Sequence, residues 1–262
     1  MVAGMTRFVA PLAGFALLLA PCATATATAT AAAPHTKPVT SAAVSLDGWR
    51  LTLPVDADGG TDGSPEVLNP AKLDPPYLDQ GTEGSLEFWA PTVGATTSHS
   101  GSPRTELIDN TGFSTGTSGT HTLAATVDVT QVPETSQTII LGQIHGDGDL
   151  NSDPYTLLYY SNGTVHVKVN QQLESGSNYL DYPLLTDVGL GSTFSYRITD
   201  SGDGNLHFSA TYDGSTKEQT APVPSVWSDQ PVRFQAGDYE QLKGDPSDGD
   251  GGKVNFAALS AS

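Results

Sequence analysis

The chain has 262 residues and a net charge of −18, from 29 acidic and 11 basic side chains. That acidity excludes a nucleic-acid binder, which needs a basic footprint, and a single cysteine, Cys22, excludes a disulfide-stapled scaffold. It does not exclude a polyanionic ligand, because a few cations in a cleft act locally while salt screens the remaining field beyond roughly 10 Å.

Residues 1–33 carry Arg7, then an apolar run over 8–20, then the repeat "ATATATATAAA". A basic start, a short apolar core and small residues at A-x-A sites predict a secretory signal peptide. The apolar run is too short to span a bilayer comfortably. Lipid anchoring through Cys22 is the minor alternative, because Pro21 directly before it fits that processing poorly. The product is therefore expected to be soluble and extracellular, with no membrane partner. Residues 34–44 ("PHTKPVTSAAV") read as a flexible N-terminal segment, and 45–262 as one domain.

From there the chain is a series of short alternating segments parted by Gly, Asp, Ser and Pro. "GWRLTLPV" comes first, and "SPEVLNPAKL" next, where a turn or two of helix is expected before Pro70. "GSLEFWAP" and "SPRTELID" follow, the latter with Arg104, Glu106 and Ile108 on one face. After "THTLAATVDV" comes "QTIILGQIH", in which alternation places Leu141, Gln143 and His145 together. "DGDLNSD" (147–153) alternates acidic and amide oxygens, but Ser152 and Leu158 stand where a calcium loop needs Gly and Glu, so a solvated turn is expected. Next are "YTLLYY" and "TVHVKVN", with Val165, Val167 and Val169 on one face and His166, Lys168 and Asn170 on the other. "FSYRITD", "NLHFSATYDG" and "VRFQAGDYEQ" close in on the C-terminus. The last of these aligns Arg233, Gln235, Tyr239 and Gln241 opposite Phe234 and Ala236. An acidic loop, "DPSDGDGG" (245–252), precedes the final segment, "KVNFAAL". Many short period-two segments with little helical periodicity predict an all-β sandwich, jelly roll or barrel. Four segments present polar faces with a few cations, a surface that suits a carbohydrate chain.

"RTEL" (104–107), "QIH" (143–145) and "AGDYEQ" (236–241) resemble, in this order, the three signature segments of family 7 polysaccharide lyases, the alginate lyases. "WRLTLP" (49–54) resembles the start of that domain, so the likeness runs from about Trp49 to the C-terminus. The resemblance implies a β-jelly roll of two antiparallel, concanavalin-like sheets with a concave cleft. It implies β-elimination on an anionic polysaccharide, by one chain, with no metal and no organic cofactor. The implied roles are Arg104 and Gln143 neutralising a uronate carboxylate, His145 as base and Tyr239 as acid.

The residues suit that chemistry independently. Removing the proton at C5 of a uronate requires charge on the neighbouring carboxylate to be stabilised. Arg104 supplies bidentate charge and Gln143 a hydrogen bond. A histidine has a reference pKa of about 6.5 and accepts a proton at neutral pH, while a tyrosine at about 10 donates one. Glu106, two residues from Arg104, is placed to orient it. Lys168, Gln235 and Gln241 complete the expected substrate-binding set with Glu106.

Each residue also has an ordinary reading. His145 alone suits a structural strand end, Arg104 a surface ion pair, and Tyr239 a packed ring with a bonded hydroxyl. The chain departs from the family pattern at Ile108, where a second arginine is usual, at Arg233, Gln235 and Glu240. Guluronate-containing alginate is the favoured substrate, since "QIH" accompanies it in the family; β-1,4-glucuronan is the alternative polyuronate. A glycoside hydrolase would need two placed carboxylates, and no E-x-D-x-E run occurs. A non-catalytic sugar-binding jelly roll would need an aromatic platform, and Trp49, Trp89 and Trp227 are scattered.

Overall fold

The computed structural model describes residues 43–262 apart from 117–118, 175, 177 and 243–248. The signal-peptide segment, Cys22, most of 34–44 and much of the acidic loop lie outside the described residues.

Sixteen strands run along the chain. They are β1 (Trp49–Thr52), β2 (Val67–Leu68), β3 (Leu78–Gln80), β4 (Leu86–Pro91), β5 (Arg104–Asp109), β6 (Phe113–Ser114), β7 (His121–Gln131) and β8 (Thr138–Gly146). Then come β9 (Pro154–Ser161), β10 (Thr164–Asn170), β11 (Tyr179–Leu185), β12 (Thr193–Asp200), β13 (Asn205–Tyr212), β14 (Ser215–Pro222), β15 (Pro231–Glu240) and β16 (Gly251–Ala261). Among the described residues the only helices are short 3-10 turns. The turn of helix expected in "SPEVLNPAKL" is absent; Val67–Leu68 instead pairs antiparallel with β1, because β1 has an unpaired edge there that a two-residue strand can satisfy.

All pairings are antiparallel, and they form two sheets. One has the order β11-β10-β9-β8-β15-β5-β1-β2, with β6 added to β15; the other runs β14-β13-β12-β7-β16-β4-β3. This is the β-jelly-roll sandwich expected from the sequence. Neighbours within a sheet are often distant in sequence, as β5 beside β15 shows. That is how three separate motifs reach one surface.

Alternation decides which residues go inside. Val165, Val167 and Val169 of β10 are fully buried in the core, as expected. Ile198, Phe208, Val127 and Phe256 meet them from the second sheet's strands. Each large apolar side chain so buried contributes roughly 1.5–3 kcal/mol. Trp227, in the 3-10 turn after β14, stacks on Tyr155 with ring centroids 4.5 Å apart. The β9–β10 hairpin turns on Asn162 and Gly163, both at positive φ (45° and 81°), the residues a two-residue hairpin favours.

Candidate active site

The first sheet's outer face carries a cleft of about 750 Å³. Its lining includes Arg104, Gln143, His145 and Tyr239, together with Lys168, Gln235 and Gln241. Register explains the gathering. Tyr239 stands opposite Arg104 on one side and Ile140 on the other. Gln235 stands between Ile108 and Gln143, and Arg233 stands opposite His145. Lys168 follows across Leu157 in β9.

Two β-bulges aim these side chains. On β8, Ile140 pairs with Tyr159 and Gly142 with Leu158, so one extra residue sits between. Leu141 therefore turns into the core while Ile140 lines the cleft. The expected grouping of Leu141 with Gln143 and His145 is thus corrected: a bulge adds a residue and reverses the alternation upstream of it. Gly142 is required by the same device, since a Cβ there would lie 2.7 Å from the Tyr196 hydroxyl of the opposing sheet. On β15 a second irregularity falls between Ala236 and Tyr239. A Cβ on Gly237 would come within 2.4 Å of the Thr105 carbonyl.

His145 is 8% exposed, and its Nδ1 lies 3.1 Å from the Gly146 carbonyl. A carbonyl only accepts, so Nδ1 carries the proton and Nε2 keeps its lone pair. Burial, with help from the Arg104 and Arg233 charges, pushes the imidazole pKa down from 6.5 to about 4. The ring is therefore a neutral base at ordinary pH.

Tyr239 has the complementary polarity. Its hydroxyl is 2.9 Å from Ser100 Oγ, which itself donates to the Ser102 carbonyl at 3.0 Å. A serine has one proton to give, so Tyr239 donates to Ser100 and holds its own proton. The Arg104 guanidinium lies 3.6 Å over the Tyr239 ring, a cation–π contact that fixes both side chains.

Arg104 Nη1 also donates to Glu106 Oε2 at 3.3 Å. Glu106 is fully buried and does not form part of the cleft wall. It is thus removed from the expected substrate-contacting set, because Arg104 and Gln143 cover it. The orienting role fits its contacts. Gln143 Nε2 donates to Glu106 Oε1 and, at 3.3 Å, to Gln235 Oε1, while its own Oε1 is buried without a partner. Both amide protons are engaged within the protein.

Of the expected binding residues, Lys168 has its Nζ 4.6 Å above the Tyr159 ring. Gln241 lies just past β15, its amide donating to the Glu240 carbonyl at 2.6 Å. Asn170, expected beside Lys168, is fully buried and holds the Pro154 and Glu174 carbonyls, each at 3.0 Å.

Several cleft residues escaped sequence reasoning. Tyr159, Tyr179 and Leu157 form an apolar patch with Ile140 beside Tyr239. Nothing in "YTLLYY" distinguishes its two faces, because both are buried. Ser100 has no signal at all, being a loop serine. Arg233 aligns with Gln235 and Tyr239 and departs from the family pattern, but carries no expected role. It is tied to Asp147 and Asn151, which flank the 3-10 turn after β8 on either side. The "DGDLNSD" stretch is therefore the expected turn, and it pins a cation beside His145. Among the described residues no group of three or more His, Cys, Asp or Glu gathers as a metal set.

A jelly roll with Arg, Gln, His and Tyr lining one cleft defines a polysaccharide lyase. The alginate lyase family model matches residues 44–262, and the chain belongs to that family. Among solved structures it resembles alginate lyase A1-II', a member of polysaccharide lyase family 7, at 25% identity and TM-score 0.68, covering 83% of this chain and 95% of that one. It resembles alginate lyase PA1167 from Pseudomonas aeruginosa at 28% identity and TM-score 0.69, covering 83% and 99%. The alginate lyase from Klebsiella pneumoniae shares the fold at TM-score 0.72 and 23% identity, covering 86% and 98%. A1-II' is also known with a product, GGG, and, with one histidine and one tyrosine replaced, with a substrate, GGMG. No curated protein matches the sequence. The chain is an alginate-cleaving polysaccharide lyase.

Proposed function

We propose that the chain cleaves guluronate-containing alginate by β-elimination, with His145 as base and Tyr239 as acid. Arg104 holds the uronate carboxylate and stabilises the negative charge that builds there as C5 loses its proton. His145 Nε2 takes that proton. The electron pair forms the C4–C5 double bond, the bond from C4 to the bridging oxygen breaks, and Tyr239 gives its hydroxyl proton to that oxygen. Solvent water then returns a proton to Tyr239 as His145 gives up the one it took from C5. Lys168 takes a carboxylate of a neighbouring sugar, whose ring lies on the Tyr159–Tyr179 patch. Gln235 and Gln241 contribute hydrogen bonds along the same chain of sugars.

The observation that carries this reading is the pair of opposite polarities in one cleft. His145 is held with a free lone pair, and Tyr239 is held with its proton. Complexes of A1-II' variants with the product GGG and the substrate GGMG support the choice of alginate. All four proposed catalytic groups come from one chain, which supports action as a monomer. The N-terminal segment supports export and work outside the cell.

A second reading, action on another polyuronate such as β-1,4-glucuronan, is favoured by one observation. Ile108 and Gln235 face each other across β5 and β15, which leaves a neutral patch in the cleft. One experiment tests both. The protein is incubated with guluronate blocks, mannuronate blocks, mixed alginate and glucuronan, and the absorbance of the conjugated double bond is followed. Guluronate-containing polymers are expected to respond fastest. A fast trace on glucuronan alone selects the second reading, and flat traces on all four overturn both.

A further inference from the structure

We propose that Glu106 works as a neutral carboxylic acid whose O–H turns the Gln143 amide, so that the amide N–H2 end meets the substrate carboxylate. The inference rests on the proposed lyase reaction and adds a positioning residue to it.

The starting point is a mismatch. In the free protein both Gln143 amide protons are taken, by Glu106 Oε1 and Gln235 Oε1, and the buried end left without a partner is the carbonyl oxygen Oε1. A uronate carboxylate brought against that end would meet an acceptor, where it needs a donor. Arg104 has a parallel difficulty. Its Nη1 lies 3.3 Å from Glu106 Oε2, so an ionised Glu106 would consume the charge the substrate needs.

One proton on Glu106 resolves both. A neutral carboxyl accepts from Arg104 on Oε2 and donates from Oε1. Among the described residues, the polar side chain that meets Oε1 is Gln143. Half a turn of the amide presents Gln143 Oε1 to that O–H and sends Nε2 to the end now lacking a partner. Gln235, by the same half-turn, donates to Gln143 Oε1 instead of accepting. Gln143 Oε1 is then paired, its N–H2 end is left for the substrate carboxylate, and Arg104 keeps its full positive charge.

The surroundings of Glu106 permit the neutral form. It is fully buried. Arg104, Arg233 and the Gln143 amide favour ionisation, and burial opposes all three and prevails, raising the carboxyl pKa above its ordinary value. Behind it stand Tyr196 from the opposing sheet and Asp238, both pushed toward their neutral forms by burial. Glu106 is absent from the cleft wall, so it acts on the substrate through Gln143 and Arg104.

The test is rescue by the neutral isostere. Glu106→Gln places an amide oxygen toward Arg104 and an N–H2 toward Gln143 Oε1, copying the protonated acid. It should keep kcat/KM on alginate within about threefold of the parent, whereas Glu106→Ala should lose roughly 100-fold or more. A folded Glu106→Gln protein with the same deep loss as Glu106→Ala overturns the inference, because it shows that the negative charge is needed. Should Glu106→Gln fail to fold, assigned carboxyl-carbon NMR of the parent protein decides. A protonated Glu106 signal at pH 7 supports the proposal, and an ionised one overturns it. A parent protein inactive on every uronate polymer removes the proposed function instead, while the NMR result still reports on Glu106.

Discussion

His145 should remain a working base far into the acid range, and lowering the pH is the perturbation that shows it. Burial and two neighbouring guanidinium groups take its pKa from 6.5 to about 4, a preference for the neutral ring of roughly 3 kcal/mol. At pH 5.5 a base of pKa 4 is about 97% neutral, whereas one of pKa 6.5 is about 9% neutral, so kcat/KM should be roughly tenfold higher than an unperturbed histidine allows. The assay is kcat/KM on alginate from pH 8 down to pH 3.5 by double-bond absorbance, beside an NMR titration of the His145 ring without substrate. The profile should stay level to about pH 5, and the ring should titrate near the same low value. The sign for stability follows from the depressed folded pKa. The contribution is present above the unfolded value of 6.5 and is lost as pH falls toward 4, because only the unfolded chain takes the proton. A ring titrating near 6.5, with activity falling alongside it, would refute the claim that this buried pocket keeps the base neutral.

Three further outcomes are expected. Tyr239→Phe should lower kcat by roughly 10²–10⁴-fold with little change in thermal midpoint, since the hydroxyl's hydrogen bond is to a single loop serine; a fully active variant removes Tyr239 as the acid. Lys168→Gln should raise KM by about fivefold and leave kcat unchanged, as for a partly exposed ion pair used only in binding; an equal drop in kcat would place Lys168 at the reacting sugar instead. Glu240→Gln should raise the melting temperature at pH 8, with the gain disappearing near pH 4. Burial beside Asp238 lifts the Glu240 pKa from 4.5 to about 10, so its contribution is complete below 4.5 and is lost as pH rises. The two carboxyls converge on Gly252, whose Cβ would lie 2.5 Å from Asp238 Oδ1 and 2.6 Å from Glu240 Oε1. Scanning calorimetry at both pH values settles it, and a lower midpoint at pH 8 contradicts the sign.

Local patterning made the all-β class legible, along with the inward faces of strands such as β10 and β12, where apolar and polar residues alternate strictly. The resemblance of three short, contiguous motifs to the family's signature segments marked Arg104, Gln143, His145 and Tyr239. Patterning failed at "TIILG" and "YTLLYY". Both faces of these strands are buried, so the period-two signal disappears and a bulge at Leu141 cannot be anticipated. Loop residues such as Ser100 carry no periodicity, and their place at the site depends on where the loop lies in space.

The amino-acid order alone therefore determined most of the longer strands, though not β2, β3, β6, β11 or β14, and the core faces of the alternating ones, since each depends on neighbours within a few residues; it also carried the motifs that hold the four proposed catalytic side chains. Only the tertiary structure decided their states. His145 is neutral because a folded pocket removes water from it and two distant arginines stand near it. The Tyr239 hydroxyl is oriented because Ser100, 139 residues away, accepts its hydrogen bond. Glu106 lies beneath Arg104 and Gln143 because β5, β15 and β8 become neighbours only on folding. Desolvation and hydrogen-bond polarity are properties of the assembled surroundings, which no local stretch of sequence contains.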